Sequence, residues 1–162
     1  MGFYQQSNEL LDFILKNINE KMTECYYFKA NNYAHLGLFQ EAYKAADGQF
    51  PIVILSEGEP VGFLILHATE RVKDYSDNPD AMLLTALSVD RKHQGKGFAK
   101  EGMLKLPEFV SKEFTHCHEV VLVVNVKNTA AQHLYVKAGF AGTGERKTGP
   151  IGEQIVMKLN IK

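Results

Sequence analysis

Cysteine is scarce in this sequence, and neither sign of charge is in excess. Only Cys25 and Cys117 occur, far apart and without metal-ligand spacing. That excludes a disulfide framework and makes the reduced cytosol the expected compartment, so a cytoplasmic protein is anticipated. Lys and Arg number 18 against 19 Asp and Glu, a formal net charge of −1. The balance argues against an extended nucleic-acid footprint or a polybasic membrane contact, although a local basic cluster can still hold a phosphate. No run approaches the roughly 20 apolar residues that span a bilayer. The first residues, Met1-Gly2-Phe3-Tyr4-Gln5-Gln6-Ser7, lack the basic-then-apolar order of a signal peptide. Internal repeats, low-complexity tracts and Pro/Gly/Ser linkers are also missing. With 162 residues, 45% of them hydrophobic and 23% charged, the chain reads as one globular domain over 1–162 with a sizeable core.

Helical and strand periods alternate along it. Ser7 or Asn8 can cap a first helix whose apolar residues Leu11, Ile14, Leu15, Ile18 and Met22 recur at helical spacing. A second amphipathic helix is expected over 33–46, through Leu36, Phe39 and Tyr43. Ile52-Val53-Ile54-Leu55 and Val61-Gly62-Phe63-Leu64-Ile65-Leu66 then form a hairpin across the polar segment 56–60. The stretch 71–80, with Pro79, reads as an exposed loop, and 82–89 as an apolar strand buried on both faces. A long helix over 97–114 carries Met103, Leu104, Leu106, Phe109 and Val110, and Pro107 should bend it by removing the bond to the Met103 carbonyl. Another apolar strand spans 119–124. Asn128 caps a helix that ends at Gly139 with a left-handed glycine, and 140–145 pairs with 154–159 across 148–152. A strand-helix-strand crossover implies a parallel pair, and the hairpins imply antiparallel neighbours. The fold class is therefore α/β, a mixed sheet with helices on its faces.

The most informative segment is Val89-Asp90-Arg91-Lys92-His93-Gln94-Gly95-Lys96-Gly97-Phe98-Ala99. A buried strand ends, two glycines flank one residue, and a helix begins. Glycine allows positive φ and close approach of a ligand to the backbone. The first amides of a helix lack internal partners and carry the positive end of its dipole. Together these suit a pyrophosphate, while a plain tight strand-helix turn would use the same residues. The run is neither GxGxxG, since Lys100 stands at the third glycine position, nor the GxxxxGK[ST] of a nucleotide-triphosphate loop.

A second segment follows: Asn128-Thr129-Ala130-Ala131-Gln132-His133-Leu134-Tyr135-Val136-Lys137-Ala138-Gly139-Phe140. Here the sequence resembles the GNAT family of N-acetyltransferases. Gln94-Gly95-Lys96-Gly97-Phe98-Ala99 matches the family's acetyl-CoA loop, Q/R-x-x-G-x-G/A. Asn128, Ala131, Leu134, Tyr135, Gly139 and Phe140 match its N-x-x-A-x-x-L-Y…G-F pattern. The resemblance is clear over 82–159, fair over 52–66 and weak before Pro51. It implies a GNAT-like fold in which two central parallel strands splay around the pantetheine arm. The acetyl-CoA core would span about 82–140, with acceptor-side elements over about 1–80. Backbone groups of Leu87, Ser88 and Val89 would bond the pantetheine amides. Backbone amides over Gly95, Lys96, Gly97, Phe98, Ala99 and Lys100, behind Gln94, would hold the pyrophosphate. Asn128 would touch the cofactor as well as cap its helix, with the cap alone as the competing reading. Lys96 and Arg91 or Lys92 would attract the phosphates or simply form a solvated basic turn.

The reaction so implied moves an acetyl group from acetyl-CoA to the amine of a small acceptor, by direct attack in a ternary complex. It needs no metal. A lysine-like amine has a reference pKa near 10.4, so a proton must leave before attack. One backbone amide near Val89 could stabilise the oxyanion. Tyr135 matches the family's tyrosine that faces the sulfur and would protonate the departing thiolate, against the alternative of a ring packed under the sheet. Polyamine-type relatives often carry an acid in the strand before the glycine loop. That position is Thr85 here, which cannot serve, leaving water with Glu41, or His35, as substitutes. His116-Cys117-His118 reads as a polar turn rather than a metal site, and Asp74, Asp77, Asn78 and Asp80 as a solvated loop near the acceptor cleft. Tyr26, Tyr27, Phe28 and Tyr33 read as core rather than as an acceptor pocket. Two other functions stay open: a non-catalytic acetyl-CoA-binding regulatory module, and a protein or peptide N-acetyltransferase. Assembly as a homodimer is left open as well.

Overall fold

The computed structural model describes residues 48–56 and 59–162. Six strands, two α-helices and two short 3-10 helices follow one another in these residues. The strands are β1 (Gln49–Ser56), β2 (Glu59–His67), β3 (Ala81–Val89), β4 (Glu119–Asn125), β5 (Ala141–Gly149) and β6 (Gly152–Asn160). The helices are α1 (Phe98–Glu113) and α2 (Thr129–Lys137). The helices expected around Leu11–Met22 and over 33–46 lie outside the described residues, as do Cys25, His35, Glu41 and the aromatic group at Tyr26, Tyr27, Phe28 and Tyr33.

The chain divides into two compact units, and β3 contributes to both. One holds the described part of Met1–Leu66 together with Ala86–Phe98; the other holds His67–Thr85 and Ala99–Lys162. In the first, β2 is closed to solvent on both faces, with Val61, Phe63, Leu64, Ile65 and Leu66 all buried. A run of branched and aromatic residues suits such a strand, because neither face meets water. Gly62 interrupts the run for a reason of space. A Cβ there would lie 2.5 Å from the Ser88 carbonyl oxygen and 3.2 Å from the Val89 Cα, both backbone atoms that cannot give way cheaply. The Asp90 amide donates to the Val61 carbonyl at 2.9 Å. The absent side chain lets β2 lie hard against the end of β3.

In the second unit the strands lie in the order β3-β4-β6-β5. β3 and β4 are parallel, as the crossover through α1 requires. Their register runs from Ala81↔Glu119 to Leu84↔Leu122 and stops there, although β3 continues to Val89 and β4 to Asn125. β4 pairs antiparallel with β6 along its whole length, from Glu119↔Asn160 to Asn125↔Gln154. β5 pairs with β6 from Ala141↔Lys158 to Gly149↔Gly152, with a register break between Gly142 and Arg146. Gly144 sits inside that break at φ +87°. Helix α1 buries Met103, Leu106 and Val110, spaced three and four residues apart on one face. Each such side chain contributes roughly 1.5–3 kcal/mol. Pro107 stays inside the helix.

Three expectations are revised. The segment 71–80 is not a plain exposed loop. It begins in a 3-10 turn, Glu70–Asp74, that buries Val72 in a cluster with Ala81, Leu83 and Val121, and Tyr75 packs on that cluster. β3 is buried only over Ala81–Leu84 and half-buried from Thr85 to Val89. The last strand pair is longer than its apolar pattern, because ladder pairing continues through polar residues and leaves only Pro150 and Ile151 outside the strands.

Candidate active site

The segment after β3 is built from local side-chain-to-backbone bonds. Asp90 Oδ1 accepts from the Lys92 amide at 3.2 Å, which starts the 3-10 turn Arg91–His93. Gln94 folds its carboxamide back and donates to the Val89 carbonyl at 3.0 Å. The chain then passes through Gly95 at φ +76° and Gly97 at φ +91°, the conformations that side chains avoid. A Cβ built on either glycine meets nothing within 4 Å, so conformation rather than packing demands them and the turn offers an open backbone face. Helix α1 begins directly afterwards at Phe98, whose ring meets His93 edge-on with centroids 5.9 Å apart. Its first amides, over Phe98, Ala99 and Lys100, lack partners within the helix. Arg91, Lys92 and Lys96, earlier in the same segment, are exposed, and Lys92 stands 3.8 Å from Asp90. The end of β3, with Leu87, Ser88 and Val89, is half-buried.

In the other unit, helix α2 is capped at both ends by the residues expected to do so. Asn128 Oδ1 accepts from the Ala131 amide at 3.1 Å. At the far end Gly139 adopts φ +96°. Its amide bonds the Val136 carbonyl at 3.0 Å, while the Phe140 amide reaches back to the Tyr135 carbonyl at 3.0 Å. These two bonds define a Schellman cap, and the apolar pair that usually accompanies one is Tyr135 with Phe140, ring centroids 5.9 Å apart. Tyr135 is buried, and burial pushes its phenol above the usual tyrosine range. The group is therefore protonated at neutral pH.

Thr85 has a partner that the sequence does not announce. His67 Nε2 and Thr85 Oγ1 are 2.7 Å apart, and His67 is only 2% exposed. The next residue, Ala86, is the one non-glycine with positive φ among the described residues, at +53°. The value lies in the left-handed region, where a single alanine costs on the order of 1–2 kcal/mol. It falls just past Leu84, where the ladder with β4 ends. Burial, with the Arg71 charge adding to it, lowers His67 from 6.5 to about 4. The unfolded chain thus takes up this proton near pH 6.5 and the folded chain only near 4. Stability should be lost as pH falls through that window, by up to about 3 kcal/mol. His67→Gln should flatten the acid side of a melting-temperature profile between pH 7 and 4. Carboxylates titrating in the same range are common to both proteins and drop out of the difference. Parallel profiles for parent and variant would contradict the assignment.

Cys117 and Glu119 serve the fold. The buried thiol donates to the Glu119 carbonyl at 3.3 Å, and burial pushes it up out of the reactive range. The Glu119 carboxylate accepts from Ser76 Oγ at 2.5 Å and stands 3.4 Å from Lys158 Nζ. In the loop before β3, Asn78 Oδ1 accepts from the Asp80 amide at 2.9 Å.

The profile of the Acetyltransferase (GNAT) family matches residues 15–140, more than half of the chain. The chain belongs to the GNAT family. It is an acetyltransferase with a mixed α/β sheet. A Bacillus subtilis (strain 168) relative named as an uncharacterized N-acetyltransferase, YbbJ, is 42% identical over 163 residues, covering 97% of this chain and 94% of the relative. A variant of the spermidine N-acetyltransferase SpeG from Vibrio cholerae superposes with a TM-score of 0.66 at 20% identity, covering 93% of this chain and 89% of that one. The aminoglycoside acetyltransferase AAC(6')-Ib, solved with coenzyme A and kanamycin, gives a TM-score of 0.61 at 20% identity over 72% and 69% of the two chains. In this GNAT chain, Leu87, Ser88 and Val89 belong to the same compact unit as Gln94, Gly95, Lys96, Gly97 and Phe98, with Gln94 bonded to the Val89 carbonyl. In the other unit, Asn128 and Tyr135 share one capped helix. Gly62 against Ser88 and Val89, His67 against Thr85, and Ala86 with its positive φ are the local features that motif spacing overlooks. A glycine inside an apolar strand, a histidine closing one and an alanine between Thr85 and Leu87 are the only traces they leave.

Proposed function

We propose that this acetyltransferase transfers the acetyl group of acetyl-CoA to the primary amine of a small acceptor, by direct attack within a ternary complex. The observation that carries the reading is the open turn at Gly95 and Gly97, whose positive φ values and free faces set backbone amides at the start of a 16-residue helix. Such a terminus suits a pyrophosphate, and Lys96 and Lys100 add charge of the right sign. The end of the β3–β4 ladder at Leu84 supports the second element. Beyond it, the backbone groups of Leu87, Ser88 and Val89 can bond an extended amide arm instead of β4. Two solved neighbours of the same fold are named for an aminoglycoside and for spermidine, small amine-bearing molecules both, which supports a small amine as the acceptor class.

In this scheme the acceptor ammonium releases one proton to solvent, its nitrogen attacks the thioester carbon, and the nitrogen gives a second proton to solvent as the amide forms. A C–N bond forms, the carbonyl electrons move to oxygen and return, and the C–S bond breaks. The sulfur leaves as thiolate and receives the Tyr135 proton, and the phenolate is reprotonated from solvent. Tyr135 is the catalytic residue proposed, with Asn128 holding the first turn of its helix.

Release of free thiol from acetyl-CoA across a panel of amines tests the reading, and its absence with every amine would refute it. Acetyl-CoA alone should also raise the melting temperature. At a ligand excess near 100 times Kd, mass action contributes ~2.7 kcal/mol. At ~2–4 °C per kcal/mol for a protein of this size, the shift is about 5–10 °C. No shift at millimolar ligand would remove the cofactor from the scheme.

A further inference from the structure

The hydroxyl that stands where an acid would be expected is tied to a buried imidazole, and that changes what it can bind. A threonine hydroxyl has one proton to give and two lone pairs. A neutral imidazole presents one N–H and one bare nitrogen. His67 Nε2 lies 2.7 Å from Thr85 Oγ1, close enough for a strong bond, and His67 is shut off from water whereas Thr85 is half-buried. Arg71 is the charged group that acts on His67, and it disfavours an imidazolium there. If Nε2 is the bare nitrogen, the single Thr85 proton points inward and its oxygen can only accept from outside.

The position of Thr85 along β3 says what would meet that oxygen. On the function proposed above, the phosphates lie at Gly95–Lys100 and the arm runs back along β3 past Val89, Ser88 and Leu87. The thioester then falls beside the next residues back, Ala86 and Thr85, at roughly 3.3 Å per residue. The attacking nitrogen must arrive there.

We propose that Thr85, oriented by His67, is the specificity-determining contact for the acceptor nitrogen, and that it selects a weakly basic amine delivered uncharged, such as an α-amino group, over an alkyl polyamine. The inference rests on the acetyl-transfer reading. A carboxylate at this place would hold an ammonium by charge and draw off its proton. A hydroxyl backed by a neutral ring brings neither a negative charge to hold an ammonium nor a base to take its proton, so productive attack from this contact falls to an amine that arrives deprotonated. An α-amino group, with a reference value near 7.9, is neutral at pH 7.5 about 200 times more often than an alkyl amine near 10.4.

The test uses the full chain with acetyl-CoA and two acceptors, an amino-acid amide and spermidine. The amide should win by at least about 30-fold in kcat/KM at pH 7.5, an estimate that leaves room for the extra contacts of a longer substrate. Thr85→Val should raise KM for the amide roughly 5- to 10-fold with kcat little changed, and Thr85→Ser should restore it. The acetyl-CoA melting shift, unaltered in both variants, shows that fold and cofactor site are intact. A nitrogen-15 spectrum of His67 should show the proton on Nδ1. A preference for spermidine overturns the proposal. So does an unchanged KM in Thr85→Val, a loss confined to kcat, or a proton on Nε2. A parent protein that acetylates neither acceptor nor any other amine removes the transfer reading itself, and this inference with it.

Discussion

Gly97→Val is expected to weaken acetyl-CoA binding by on the order of 100-fold, close to 3 kcal/mol, while the protein still folds. The two halves of that expectation have separate causes. Gly97 sits at φ +91°, outside the space a β-branched residue can occupy without strain, so the backbone must rotate. Rotation turns the neighbouring amides away from wherever they jointly point, and a phosphate site depends on that convergence. The strain itself is of order 1–3 kcal/mol. Yet the new side chain collides with nothing, since no atom lies within 4 Å of a Cβ at this position. The turn is also exposed, so the core should be undisturbed. Calorimetry with acetyl-CoA and a melting curve measure the two halves independently. Parent-like affinity would mean that the turn is not where the pyrophosphate binds. A collapsed melting curve would mean that the glycine is structural.

Tyr135→Phe should lower turnover on the order of 10- to 100-fold and leave acetyl-CoA affinity nearly unchanged. A positioned general acid is worth roughly 100- to 10,000-fold. The leaving thiolate is fairly stable on its own, with a reference value near 8.5 for a thiol, so the loss belongs near or below the low end of that range. The substitution is clean because the ring, not the hydroxyl, makes the contact with Phe140 that closes the helix cap. The phenol is protonated well past neutral pH. Its role as acid should therefore add no falling limb to the rate profile below about pH 10, the ordinary tyrosine value. Steady-state kinetics with the best acceptor, beside cofactor binding, checks this. Equal turnover would assign thiolate protonation to solvent, and lost folding would make the tyrosine a core residue alone.

What can be read from the sequence here is what the backbone demands locally. Gly95, Gly97 and Gly139 are legible because their conformations are forbidden to other residues. Asn128 is legible because a cap must sit three residues before the amide it accepts. The strand-helix-strand order yields the parallel sense of β3 and β4 without reference to any relative. His67 is illegible for the opposite reason. Its partner is 18 residues away, on another strand, and no spacing rule connects them. Gly62 looks like a weak point in a strand until Ser88 and Val89 are seen to occupy the space of its missing side chain. Ala86 carries no signal of left-handed backbone, since alanine is common everywhere. Val72 hides in a polar segment because one apolar residue in a 3-10 turn makes no periodic pattern. Residues whose reason lies in a partner distant along the chain are thus the ones a motif leaves out.

The uneven pairing of β5 with β6 bears on how this protein behaves at high concentration. β5 is the outermost strand of the order β3-β4-β6-β5, so among the described residues one side of its backbone has no strand beside it. A straight, apolar border of that kind is a template on which another chain can add and aggregates can grow. Here the strand is broken in register between Gly142 and Arg146, with Gly144 bent to φ +87° inside the break. Next come Glu145, Arg146 and Lys147, all exposed, with Arg146 paired to Glu153 and Lys147 near Glu145. An incoming strand would find neither a continuous row of amides nor an apolar surface, and would have to strip water from three charges. The irregularity that looks like a flaw in the ladder keeps the border of the sheet from recruiting a stranger.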